Sequence, residues 1–296
     1  MQNMKTTSII TLLGCAGLLF TSCDVKDPIH NTPHPDNGTV TLTADWSQRG
    51  TGIDIPASYT VEAGDYSTTF SDATSRIDHL FEPGAYRFYI YNTPEQVSVS
   101  GTTAAVASAS GNWDGAGAFV SALPGWLFTC AMDAAIEKDT EYELTAAIQQ
   151  QVRQLTLVVE PTGGTADRIE GVEGYLSGAA ATLDMDNGTH GTPSNVALTF
   201  TKIASGTDAG KWSATVRLLG VAGAAQQLTA QIRFSGDSPQ PVTLTSNLTT
   251  ELAAFNTDKP KPLTLGGTVA ETPTEAGFTA TITDWKQVTG SPVTAD

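Results

Sequence analysis

From Thr39 to Trp46 the chain alternates: Val40, Leu42, Ala44 and Trp46 are apolar, and Thr39, Thr41, Thr43 and Asp45 are polar. Successive side chains of a strand point to opposite faces, so this period of two predicts a strand with one buried face. Shorter β-like stretches follow at 58–62 and 66–70. Glu82-Pro83-Gly84 reads as a turn, because Pro presets φ and Gly accepts the left-handed position. It leads into 86–91, with Tyr86, Phe88 and Ile90 on one face and Tyr89 and Tyr91 on the other. Trp126–Ala131 and Glu141–Ile148 are two more predicted strands. After the polar run Gln149-Gln150-Gln151 the alternation resumes at Leu155, Leu157 and Val159. It returns at Val196–Phe200, Trp212–Leu218, Leu228–Phe234 and Phe278–Ile282.

Three stretches break the period. Leu248, Leu252 and Phe255 fall at i, i+4 and i+7, which predicts a turn or two of amphipathic helix stopped by Asp258-Lys259-Pro260. Residues 100–117 are almost all Gly, Ala, Ser and Thr around Trp113, and predict a long loop. Gly171, Gly174 and Gly178 lack the spacing of a phosphate-cradling loop, so backbone crowding at a bulge or sheet edge is the expectation. Asn187-Gly188 is a strong hairpin dipeptide and predicts a turn there; the preceding Asp184-Met185-Asp186 lacks the spacing of a calcium loop. The dipeptide Asp45-Trp46 is echoed by Asp284-Trp285, an echo too short to establish a repeat. The pattern as a whole describes an all-β protein, and abundant Thr and Gly fit it.

The N-terminus has a different character. Lys5 precedes an apolar run from Ile9 to Phe20, followed by Thr21-Ser22-Cys23. Positive, apolar and small-residue regions in that order read as a secretory signal. The cysteine directly after Thr-Ser resembles a bacterial lipobox, which makes 1–22 the signal and Cys23 the acylated N-terminus. Next comes a proline-rich tether, 23–37, with too few apolar residues to bury a core. With the boundary at the glutamine run, 38–151 and 152–296 become two β-sandwich domains.

Charge and chemistry narrow the picture further. The 296-residue chain carries a formal charge of −16. Loss of the signal leaves 14 basic residues against 31 acidic ones, a net −17 that repels nucleic acid and anionic headgroups. Of three cysteines, Cys15 leaves with the signal and Cys23 carries lipid; Cys130 stands alone in an apolar strand as a small buried hydrophobe, and no disulfide partner remains. His30 and His34 have a metal-ligand spacing only on a helix, which the prolines at 33 and 35 oppose. There is no H-E-x-x-H, C-x-x-C or G-x-S-x-G, so no catalytic residue, metal or cofactor site is expected. Tyr89, Tyr91 and Trp113 are candidate glycan contacts, since exposed aromatic rings form stacking platforms.

One resemblance joins these pieces. The lipobox and tether, Asp45-Trp46-Ser47, Glu82-Pro83-Gly84-Ala85-Tyr86-Arg87 and Pro124-Gly125-Trp126-Leu127-Phe128 come in that order. They continue through Tyr175-Leu176-Ser177-Gly178, Leu248-Thr249-Thr250-Glu251-Leu252 and Ile282-Thr283-Asp284-Trp285. Together they resemble the fimbrillin-like anchor and accessory lipoproteins of Bacteroidales surface fimbriae. The resemblance implies two tandem transthyretin-like Greek-key sandwiches on an outer-membrane lipid anchor, with no enzymatic activity. It implies fimbrial subunits as partners, joined by strand addition. Arg-directed trimming of stalk subunits makes Arg49 a candidate processing site; anchor-type members are not trimmed, which favours a plain loop residue there. A surface glycan-binding lipoprotein is the alternative reading.

Overall fold

The computed structural model describes residues 32–111, 113, 115–162, 166–236, 240–274 and 277–288. Strands make up almost all of its regular structure, as the alternation requires. The chain opens with β1 (Gly38–Gln48), β2 (Tyr59–Ala63), β3 (Tyr66–Phe70), β4 (Thr74–Arg76) and β5 (Gly84–Tyr91). Four short strands follow: β6 (Val97–Ser100), β7 (Thr103–Val106), β8 (Ser108–Ala109) and β9 (Phe119–Val120). Then come β10 (Phe128–Ile136) and β11 (Thr140–Gln150). The first sheet runs β3-β2-β5-β10-β11-β1-β4, with β1 and β11 parallel. Val40, Leu42, Ala44 and Trp46 all turn inward and are buried, which bears out the period of two.

The second half holds β12 (Arg153–Pro161), β13 (Ile169–Asp184), β14 (Thr189–Lys202), β15 (Trp212–Leu218) and β16 (Gln227–Phe234). It ends with β17 (Val242–Asn247), β18 (Leu263–Thr274) and β19 (Gly277–Gln287). Their order is β17-β16-β13-β14-β15-β12-β18-β19, with β12 and β18 parallel. The two halves repeat one topology. β14-β13-β16-β17 matches β3-β2-β5-β10, and β15-β12-β18 matches β4-β1-β11, in both pairing and chain order. The second half adds an eighth strand, β19, antiparallel to β18 on the edge that corresponds to the open edge of β11. Within this repeat β1 corresponds to β12, so Asp45-Trp46 and Asp284-Trp285 lie on non-equivalent strands.

The segment expected to be a long loop is more ordered than its composition indicated. β7 pairs with β13 at Thr182–Asp184, and β9 pairs with β14 at Asn195–Val196, so β6 to β9 extend the second sheet. Val97, Ala104, Val106 and Val120 of these strands are buried in the second core. The stretch from Leu248 to Thr257 forms successive turns instead of a helix, although Leu248, Leu252 and Phe255 are all buried as their spacing indicates. Asp258-Lys259-Pro260 leaves too little chain for helix propagation to offset its costly first turn. The glycine expectation holds: a Cβ on Gly174 would sit 2.2 Å from the Thr229 carbonyl oxygen, and Gly178 adopts φ +74° at a bulge in β13. The β13–β14 hairpin turns at Asn187-Gly188, where Gly188 has φ +72°. Gly84 opens β5 without positive φ, so Glu82-Pro83-Gly84 bends the chain through Pro83.

The described residues form two cores. One gathers Val40, Leu42, Trp46, Phe81, Phe88 and Phe128; the other gathers Leu155, Leu157, Leu176, Val196, Leu228 and Phe255. The second also takes Tyr91, Val97, Ala104, Val106, Val120 and Leu127 from before the glutamine run. Trp126 packs against both, and the Arg217 guanidinium lies 5.2 Å from its ring centre. Asn92 closes the junction: its amide donates to the Trp126 carbonyl and its Oδ1 accepts from the Phe128 N–H. His34, placed by the sequence in the tether, is buried at the head of β1 and contacts the Asn37 carbonyl at 2.9 Å.

Candidate functional site

β5 pairs with β10 over its whole length, from Tyr91↔Thr129 to Gly84↔Ile136, and β1 pairs with β11 from Gly38↔Thr140 onward. β10 and β11 themselves meet only at Phe128↔Gln150 and Thr129↔Gln149. Beyond those two pairs the strands diverge. Their facing edges, from Cys130 on β10 and back from Ile148 on β11, carry no ladder between them. Cys130, Met132, Ala134, Tyr142 and Leu144 are half-covered at this opening and rest on the first core. Burial raises the Cys130 thiol above its ordinary range, so the thiol is predominantly protonated near neutral pH.

A groove of about 970 Å³ opens along this divergence. One wall is β10 and β11; the other is the β13–β14 hairpin tip, His190 and the 256–260 segment. The hairpin tip is clamped to β5. Arg87 donates to Asp186 Oδ1 at 2.9 Å, to the Asp186 carbonyl at 3.0 Å and to Asp133 at 2.9 Å, while the Tyr89 hydroxyl donates to Asp186 Oδ1 at 2.9 Å. These bonds, from Tyr89 first and Arg87 next, hold the Asp186 carboxyl below its usual range.

The opposite wall is bolted through the glutamine run. Gln150 accepts from Gly50 N–H and donates to the carbonyls of Val152 and Lys259. Arg153, lying over the Phe255 ring, donates to the carbonyls of Lys261 and Phe255 at 2.6 and 2.9 Å. Asn256 bonds both backbone groups of Val221. This frame presents Lys259 to the groove, where its ammonium donates to Gln151 Oε1 and lies 3.3 Å from His190 Nε2. Desolvation pushes the Lys259 pKa down to about 8. Desolvation, followed by the Lys259 charge, pushes His190 down to about 4, so the imidazole is neutral and able to accept.

The residues singled out from sequence are scattered. Cys23 and His30 lie outside the described residues. Arg49 is exposed just past β1, its guanidinium donating to the Ile53 and Trp46 carbonyls. Tyr91 is buried between the cores with its hydroxyl on Glu62 at 2.8 Å, Tyr89 is half-buried against Asp186, and Trp113 stacks edge-on to Tyr175 of β13 at 5.4 Å. Tyr175 and Asp186 are eleven residues apart along that strand and its turn, roughly 30 Å, so the three aromatics form no common platform. Lys259, His190 and Asp186 are distant in the chain, so no spacing in the sequence joins them into a site; the glutamine run is the nearest signal. Among the described residues no cluster of His, Cys, Asp and Glu has metal-binding geometry, and no helix is long and apolar enough to cross a membrane.

The family model for fimbrillin-A associated anchor proteins Mfa1 and Mfa2 matches residues 81–289. The chain belongs to that family. The fold agrees. A candidate adhesin from Bacteroides ovatus superposes with a TM-score of 0.57 at 17% identity, covering 88% of this chain and 96% of its own. The fimbrial anchor protein Mfa2 from Porphyromonas gingivalis gives 0.56 at 12% identity, covering 82% and 95%. A candidate polysaccharide-binding protein from Bacteroides thetaiotaomicron gives 0.55 at 8% identity, covering 85% and 98%. At these identities the likenesses speak to fold alone. No curated protein sequence matches the chain.

Proposed function

We propose that this fimbrial-family surface protein is a lipid-anchored, non-enzymatic anchor or accessory subunit that engages fimbrial partners by β-strand addition. Family membership supports the fimbrial role, and the lipobox supports attachment through acylated Cys23 to the outer membrane. The observation that carries strand addition is the divergence of β10 and β11. An extended segment laid beside β11 satisfies its open edge through main-chain bonds, while alternate side chains reach the half-covered pockets at Leu144 and Met132. The second half supplies a template for this arrangement within the same chain. There β19 runs antiparallel to β18 on the corresponding edge, with Ala280 and Ile282 buried. Arg49 serves as a plain loop residue in this reading, since β1 is held between β11 and β4 as a structural strand.

Deletion of the protein tests the role. Fibres should be shed into the medium or change in length, and the protein should co-purify with surface fibres. Unchanged fibre attachment and length, with no co-purification, would contradict it.

A further inference from the structure

Lys259 is a cation set into the wall of the groove without a counter-charge. Among the described residues no carboxylate lies within ion-pair distance of its ammonium: Asp258 pairs with Lys261 at 2.9 Å, and Asp186 across the groove is taken by Arg87. Its partners are neutral acceptors, an amide oxygen and an imidazole nitrogen. The arrangement is built rather than incidental. A Cβ on Gly220 would sit 2.2 Å from the His190 ring and 2.8 Å from Asn256 Oδ1, so glycine is what lets both side chains close on this wall. Two of the three ammonium hydrogens are directed at protein acceptors, which leaves one donor for the groove. Partial burial of an ammonium that lacks an anionic partner is costly, and a ligand carboxylate removes that cost by completing the pair.

We infer that the groove recognises a carboxylate carried on an extended peptide, with Lys259 as its anchor. This rests on the strand-addition reading and names the chemistry of the partner segment. A peptide fits better than an acidic sugar for two reasons. The groove is edged by unladdered strand backbone, and its lining contains no Trp, Tyr or Phe on which a sugar ring stacks. In a chain of net charge −16 a single cationic point in a groove also selects register: an acidic side chain seats only when it lies opposite Lys259.

The test uses two labelled peptides of alternating valine and threonine, one with a central glutamate and one with glutamine there, titrated onto the full mature chain in detergent. The glutamate peptide should bind about tenfold or more tightly than its glutamine partner. Lys259→Met should abolish the difference and Lys259→Arg should retain it. On the wild-type chain, the Lys259 ¹³Cε resonance should titrate at higher pH when the glutamate peptide is bound. Equal affinity for the two peptides, or a preference that survives Lys259→Met, overturns the inference while leaving strand addition standing. Competition by tetragalacturonate as strong as that of the glutamate peptide overturns the choice of a peptide. Binding of neither peptide contradicts strand addition itself and this inference with it.

Discussion

Trp46 illustrates how one residue organises the first half. It ends the alternating run of β1, is buried, and meets Tyr59 and Phe128 edge-on at 5.8 and 5.6 Å. Trp46→Ala removes both aromatic contacts and leaves a cavity, so thermal unfolding should report a loss of about 3–5 kcal/mol. Gly174 makes the opposite demand. A methyl group there collides with the backbone of β16, and Gly174→Ala should cost roughly 1–3 kcal/mol by the same measurement. His190 gives a pH signature. Its pKa is about 4 in the folded chain against 6.5 when unfolded, so the unfolded state takes up the proton first as pH falls. Stability associated with this group is therefore present above pH 6.5 and lost between about 6.5 and 4. Discounted for its partial exposure, the loss is about 2 kcal/mol. Denaturant unfolding across that range should show a shallower pH dependence for His190→Gln than for the unsubstituted chain; parallel profiles would exclude His190 as the source.

At the scale of elements, legibility followed the strength of the period. β1, β15 and β16 were readable because one face of each meets a core and the other does not, which writes the alternation into the sequence. β6 to β9 were not, because each has only two to four residues, too few for a period to show, and β7 and β8 are mostly Ala, Ser and Thr. The turns at 248–257 show the converse, where helical spacing buries three side chains but no helix propagates. Tyr91, a candidate contact from its place on the outer face, is buried because alternation assigns a face without saying what covers it; here both faces of β5 are covered, and burial and then the Glu62 bond raise its pKa to about 12. The groove was the least legible feature. Gln151, His190 and Lys259 converge only once both halves are folded. The Gln150 and Arg153 bonds should make the 254–261 segment rigid. Arg153→Met should raise amide exchange there while leaving β1 to β5 protected, and unchanged exchange would show that these bonds do not hold the segment.

At the scale of the molecule, two repeats of one strand order share the Trp126 junction; the first is joined through β10-β11 and the second through β14-β15, and β18 is covered by β19 where β11 is open. In the proposed function, Cys23 holds the protein at the cell surface and that edge couples it to the fibre. Cys23→Ala should leave the fold intact and release the chain from washed membranes; continued membrane retention would refute the lipobox. The coupling has a more direct reporter. Cys130 lies half-covered at the opening and is the only described cysteine; with Cys15 lost with the signal and the Cys23 thiol acylated, its thiol is the expected sole label site of the mature chain. Its alkylation rate, measured with and without the fimbrial subunits that co-purify with the native protein, tests strand addition where it is proposed to occur. A strand seated between β10 and β11 predicts at least a tenfold slowing on complex formation. An unchanged rate in a complex shown to have formed would contradict the account.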